Sequence, residues 1–211
     1  MKILILTHGR SGGLSISTWI EKEMKLELFH EPFIQLEDND YIKNNLFVKN
    51  NIVVKDFPFN IERYGYDVYE YVKTFDKLII HNRENLRDTA ISHVSGELRN
   101  QNVKNKSSWH EVYNLDDDWV EKNIHKIESE EAKLLLRNQI LKDITENTEI
   151  KGLRTTYNGI FENKNDIPNL LGYLNIKEPR WLDMLDNRHK LKNGNVGMNN
   201  YINKHVIKNI I

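Results

Sequence analysis

The chain has 211 residues, 39% of them hydrophobic, with 30 basic and 31 acidic side chains and a formal net charge of −1. This allows one large domain with a buried core and supplies no overall field that would draw in nucleic acid, so any basic site has to be local. The absence of cysteine removes disulfides, thiolate metal sites and a cysteine nucleophile. No apolar stretch reaches membrane-span length and the N-terminal run is too short for a signal peptide, so a soluble cytoplasmic protein is expected, one domain over 1–211.

Lys2-Ile3-Leu4-Ile5-Leu6 is a short apolar run ending in a glycine-bearing turn, His8-Gly9-Arg10-Ser11-Gly12-Gly13, and predicts a buried strand. Leu14 to Met24 is long enough for a helix. Strand, glycine turn and helix together aim free backbone N–H groups at an anion. Arg10 adds a fixed positive charge, and Ser11, Ser15, Ser17 and Thr18 offer hydroxyls. A nucleoside triphosphatase loop needs Lys and then Ser or Thr after its last glycine; here Leu14 and Ser15 follow Gly13 and the next lysine is Lys22. ATP or GTP hydrolysis is therefore disfavoured, while phosphate or sulfate binding is not. The same pattern also suits an ordinary strand-to-helix turn.

Further along, Lys25 to Phe29 is a second strand candidate, followed by His30-Glu31-Pro32-Phe33, and Ile52 to Lys55 a third, followed by Asp56-Phe57-Pro58-Phe59. Arg63 to Phe75, with Tyr64, Tyr66, Tyr69 and Tyr71, reads as one helix. Leu78-Ile79-Ile80 is a fourth strand, and Arg83 to Arg99 a helix with Leu86, Ala90, Ile91 and Val94 at helical spacing. Asn100 to Asn114 is polar and reads as a loop, with Trp109 and Tyr113 as anchors. Asp116 to about Thr145 is strongly helical, as one helix or two, with Asp116, Asp117 and Asp118 at its start. Glu149 to Arg154 is a last strand candidate and Ile167 to Leu174 a short helix. A tail rich in Asn, Gly and basic residues runs from Arg180, with a helical end near Val206.

Strands alternating with helices predict an α/β fold: a P-loop-like three-layer α/β/α arrangement with a central parallel sheet and a helical insert at about 115–147. Ligands of such sheets collect beyond the carboxyl ends of the strands. Arg10, Glu31, Lys55 and Arg83 each end or directly follow a strand, so they should share one cleft.

These residues resemble the sulfotransferases that use 3′-phosphoadenosine 5′-phosphosulfate (PAPS). Gly9-Arg10-Ser11-Gly12-Gly13 is similar to the Gly-Arg-Ser-Gly-Ser phosphosulfate loop of bacterial members. Leu78 to Arg83 followed by Asn85 to Ser92 is similar to the strand, arginine and serine that hold the 3′-phosphate. Lys192-Asn193-Gly194-Asn195-Val196-Gly197 looks like a weakened copy of the family's C-terminal R-K-G-x-x-G loop. His30-Glu31-Pro32-Phe33 and Trp109-His110 resemble bacterial carbohydrate-type members.

The resemblance implies PAPS as donor co-substrate, with the cofactor held by Arg10, Ser11, Gly12, Gly13, Leu14, Ser15, Arg83, Ser92, Lys192, Asn193 and Gly194. It implies catalysis by Arg10, by Lys55 at the transferring group, and by Glu31 as base on a hydroxyl or amine of a small-molecule or carbohydrate acceptor, with no metal required. Many cytosolic members carry a histidine two residues after the Lys55-like lysine. Phe57 stands there, which shifts the base to Glu31, although Glu31 also suits a turn cap and Asn193-Gly194 a plain turn. Trp19 is a candidate for adenine stacking or for the core. A small-molecule kinase and a binder of PAPS or adenosine 3′,5′-bisphosphate that has lost its chemistry are the alternatives.

Overall fold

The apolar run near the N-terminus lies at the centre of a five-stranded, wholly parallel sheet. In the computed structural model, which describes residues 1–35, 46–102 and 117–186, β1 (Lys2–Thr7) pairs with β3 (Ile52–Asp56) on one side and β4 (Lys77–Asn82) on the other. β2 (Glu27–His30) lies outside β3 and β5 (Leu153–Thr156) outside β4, giving the order β2-β3-β1-β4-β5. β1 and β3 are buried along their whole length, which is why they read as continuous apolar runs instead of alternating ones.

Helices cover both faces. After β1 comes α1 (Gly13–Met24), and after β2 the single turn α2 (Pro32–Gln35). β3 leads into α3 (Pro58–Arg63) and α4 (Val68–Lys73), and β4 into α5 (Leu86–Asn102), α6 (Asp117–Lys122) and α7 (Ile124–Asn147). A π-helical turn (Asn158–Glu162), α8 (Ile167–Leu174) and α9 (Asp183–Asp186) follow β5. Ile3, Ile5, Val53 and Ile79 pack with Ile16, Trp19 and Ile20 of α1 and with Leu170 and Leu174 of α8. Leu4, Leu6, Val54 and Ile80 pack on the opposite face with Ile61, Tyr71 and Val72 and with Leu141 and Ile144 of α7. This is the expected three-layer α/β/α arrangement around a central parallel sheet. Among the described residues, no helix is long and apolar enough to cross a membrane.

The helix expected from Arg63 to Phe75 is shorter: Arg63 is the last residue of α3, and only α4 lies within that range. Gly65 takes a left-handed φ of 81° after α3, and the Asp67 carboxylate accepts the Tyr69 and Glu70 N–H groups at 2.8 and 3.0 Å, starting α4 afresh. The last strand begins later than Glu149. The Tyr173 hydroxyl accepts the Leu78 N–H (3.0 Å) and donates to the Lys151 carbonyl (3.1 Å), so it stands where a longer strand would pair, and the ladder starts at Ile79 opposite Leu153.

The insert is not a separate body. Ala90 and Val94 of α5 pack with Ile127 and Leu134 of α7 in a small core of their own, while Leu141 and Ile144 further along α7 belong to the main core. The proposed anchors Trp109 and Tyr113, most of the predicted loop, Asp116, the Lys192-Asn193-Gly194 loop and the helical end near Val206 lie outside the described residues.

Candidate functional site

β1 delivers the chain into the glycine turn at the carboxyl edge of the sheet, flanked by the ends of β3 and β4. Arg10 and Gly12 both take left-handed backbone, with φ 62° and 98°, and such alternation turns successive N–H groups into a concave anion site. Gly12 provides that conformation without strain; Arg10 takes it despite its side chain. Gly9 serves close packing instead, because a Cβ there would sit 2.9 Å from His93 Nε2 on α5. Gly13 and Leu14 open α1, where N–H groups have no carbonyl one turn earlier. The Ser15 N–H donates to the Gly12 carbonyl at 3.0 Å.

Two histidines tie the turn to the neighbouring strands. His8 donates from Nδ1 to the Gly9 carbonyl (2.9 Å) and accepts the Arg83 N–H at Nε2 (3.3 Å). Burial pushes its pKa down to about 4, so it remains uncharged at neutral pH. His81, wholly buried on β4, donates from Nε2 to the Ser11 carbonyl (2.8 Å) and shares a hydrogen bond between Nδ1 and the Thr155 hydroxyl (2.9 Å). Hence one side chain links β5, β4 and the turn.

Arg10 Nε donates to Ser92 Oγ on α5 at 2.9 Å, which brings two expected site residues together but in a new pairing: Ser92 was expected to work with Arg83. The Arg83 guanidinium instead lies over the Tyr157 ring, 4.6 Å from its centre, with Asp88 at 3.9 Å. Arg10 and Arg83 nevertheless occupy the same rim, since the Arg83 N–H bonds His8 two residues before Arg10. The Ser11 hydroxyl turns inward onto the Thr7 hydroxyl, leaving only backbone of Ser11 for a ligand. Trp19 is wholly buried in the α1 face of the core, which assigns it to packing and not to stacking on a base.

Glu31 and Lys55 meet at the ends of β2 and β3. The Lys55 ammonium is ion-paired with Glu31 and lies 3.6 Å from the centre of the Phe57 ring. Burial lowers its pKa, and Glu31 opposes that shift. Glu31 has a left-handed φ of 48°, fixed by its N–H donating to the Lys55 carbonyl at 2.7 Å; His30 Nε2 is 3.4 Å from its carboxylate. Next to Lys55, Asp56 is fully buried. Its Oδ1 accepts the Phe57 N–H (2.8 Å) and the Asn60 amide (3.0 Å), while Oδ2 has no partner, and burial raises its pKa to about 7.

Sequence reasoning missed Asp56, Tyr157, His81 and Arg137. Arg137, on α7, lies with its guanidinium 5.0 Å from the Phe59 ring centre, and Phe59 stacks on Phe57 at 5.2 Å and 7°. Asp56 had a readable signal, as a carboxylate ending a strand beside the glycine turn. Arg137 had none, being one of many charged residues on a long helix.

No known protein family matches this sequence, and neither does any curated protein. Among solved structures the chain is similar to that described as the YorR protein of Bacillus subtilis in complex with phosphorylated GDP, at 10% identity and a TM-score of 0.40, over 84% of this chain and 99% of that one.

Proposed function

We propose that this protein is a PAPS-dependent sulfotransferase. The observation that carries the reading is the Glu31–Lys55 ion pair at the carboxyl edge that also bears Arg10, Arg83 and the glycine turn. A general base and a cation for the transferring group thus stand beside an anion-binding turn.

In this reading the N–H groups of Gly12, Gly13 and Leu14 bind the 5′-phosphosulfate. Arg10, bonded to Ser92, neutralises its peripheral oxygens, and Arg83 forks onto the 3′-phosphate. An acceptor hydroxyl attacks sulfur in line. The new O–S bond forms as the S–O bond to the 5′-phosphate breaks; that electron pair goes to the phosphate oxygen, and the acceptor proton goes to Glu31. Lys55 balances charge on the leaving and transferring oxygens, so catalysis is mainly positioning and electrostatic stabilisation. Loss of a general base costs about 10²–10⁴-fold in rate, so Glu31→Gln should abolish measurable transfer and leave nucleotide binding intact.

Calorimetric titration with adenosine 3′,5′-bisphosphate tests the donor. Binding is expected, and Arg83→Ala should weaken it about tenfold or more while barely affecting adenosine 5′-phosphate, as loss of a charged hydrogen bond implies. No binding at millimolar ligand would overturn the reading. Binding without transfer to any sugar, phenol or amine would indicate a binder without chemistry.

Asp56 favours a second reading, a magnesium-dependent small-molecule kinase, because it places a carboxylate at the end of the strand paired with β1. Its commitment to the start of α3 and its raised pKa, with the loop's lack of a lysine, oppose it. Preference for Mg-ATP over the bisphosphate would establish it.

A further inference from the structure

Arg137 is the cation of this rim that the family resemblance does not account for. Its Nη1 donates to Glu130 Oε1 on the same helix at 3.1 Å. With Thr7, His8, Pro58 and Phe59 it lines a small cavity at the carboxyl end of β1. Its charge acts on both His8 and His93, and these two histidines flank Gly9: one bonds its carbonyl, the other fills the space where its Cβ would be. The Phe57–Phe59 stack separates Arg137 from Lys55, with a cation at each end.

Glu130 is built to lose this partner. Its side chain is only 6% exposed, yet a second cation, Lys133 Nζ, also meets it at 3.3 Å. A buried carboxylate stripped of its sole cation is costly, whereas one with further partners is not. Arg137 is 26% exposed and sits on a long, flexible stem, so it can exchange a carboxylate for a ligand anion without leaving a buried charge alone.

We propose that Arg137 is a further catalytic residue, supplied by the helical insert: on donor binding its guanidinium leaves Glu130 and takes the peripheral oxygens of the transferring sulfuryl group. The role rests on the sulfotransferase reading. It also gives the insert a task, since α7 then completes the site over the loop.

The test compares PAPS with adenosine 3′,5′-bisphosphate, which lacks the sulfuryl group, by calorimetry without acceptor. Arg137→Gln is expected to weaken PAPS about tenfold while changing the bisphosphate less than about twofold, and Arg137→Lys to restore part of the loss, since lysine supplies charge but not the fork. Glu130→Gln, which releases the arginine, should tighten PAPS by a few-fold. Equal effects on both nucleotides, or none on PAPS, would overturn the role and leave the donor intact. Failure of the wild-type protein to bind either nucleotide would overturn the donor reading and this role with it. Thermal melts of each variant separate misfolding from loss of contact.

Discussion

Glu31, just past β2, and Glu130, on α7, are both carboxylates pressed against cations, but they are supported differently. Glu31 meets Lys55, whose side chain is only 5% exposed, and among the described residues no other carboxylate is ion-paired with that lysine. Glu130 is shared by two cations, Arg137 and Lys133, both of which reach solvent. Asp56 is a third case, buried with no cation at ion-pair distance among the described residues and with an orphaned oxygen. The difference teaches where the molecule holds tension. A single buried pair is fragile because either half alone is a stranded charge, whereas a shared carboxylate can give up a partner.

The strongest way to sharpen that contrast is Asp56→Asn. The Asp56 pKa is raised from 3.8 to about 7, so the folded state binds a proton that the unfolded state has released, and stability falls as pH rises between those values. The amide keeps the Oδ1 bonds and removes the charge. Urea unfolding should show a gain of up to about 4 kcal/mol at pH 8 that vanishes near pH 4; a pH-independent change would refute the account.

Glu31→Gln breaks the single pair. It should cost about 3 kcal/mol at pH 7. Lys55 already has a lowered pKa, and the loss of Glu31 lowers it further, so the unfolded chain holds that proton to higher pH than the folded one. The deficit should therefore shrink between pH 7 and pH 10. A deficit that grows with pH would show that Lys55 is not the stranded charge. Glu130→Gln, tested in the same way, should cost only about 1 kcal/mol, because its partners can hydrate.

The smallest effect at neutral pH lies at His8, which has no carboxylate at ion-pair distance among the described residues. With its pKa depressed to about 4, it favours folding fully above pH 6.5 and loses that contribution as pH falls through 4. Its ring resonances should not titrate between pH 5.5 and 8, and a midpoint near 6.5 would contradict the burial argument.

The parts of this arrangement that were legible in sequence are those encoded by neighbours. β1, the glycine turn and β4 are apolar runs with clear stops, and α5 shows its period through Leu86, Ala90 and Val94. The placement of Arg10, Glu31, Lys55 and Arg83 on one edge followed from the parallel-sheet rule alone. What escaped depends on contacts distant in the chain. Ser92 binds Arg10, 82 positions away, and Tyr173 truncates a strand by bonding Leu78 across 95 positions. Neither leaves a periodic trace. The helix break at Gly65 and Asp67 was local and readable, but the row of tyrosines on either side masked it.

The central position of β1 bears on how the protein is made. Its partners, β3 and β4, come roughly 50 and 75 residues later, and synthesis runs at about 5–20 residues per second. For several seconds, then, Ile3 to Leu6 leave the ribosome with no strand to join on either side. A bare β-prone segment of that kind invites pairing with other chains, so the yield of native protein in cells should depend on holdase chaperones that shield it until residue 82 has emerged.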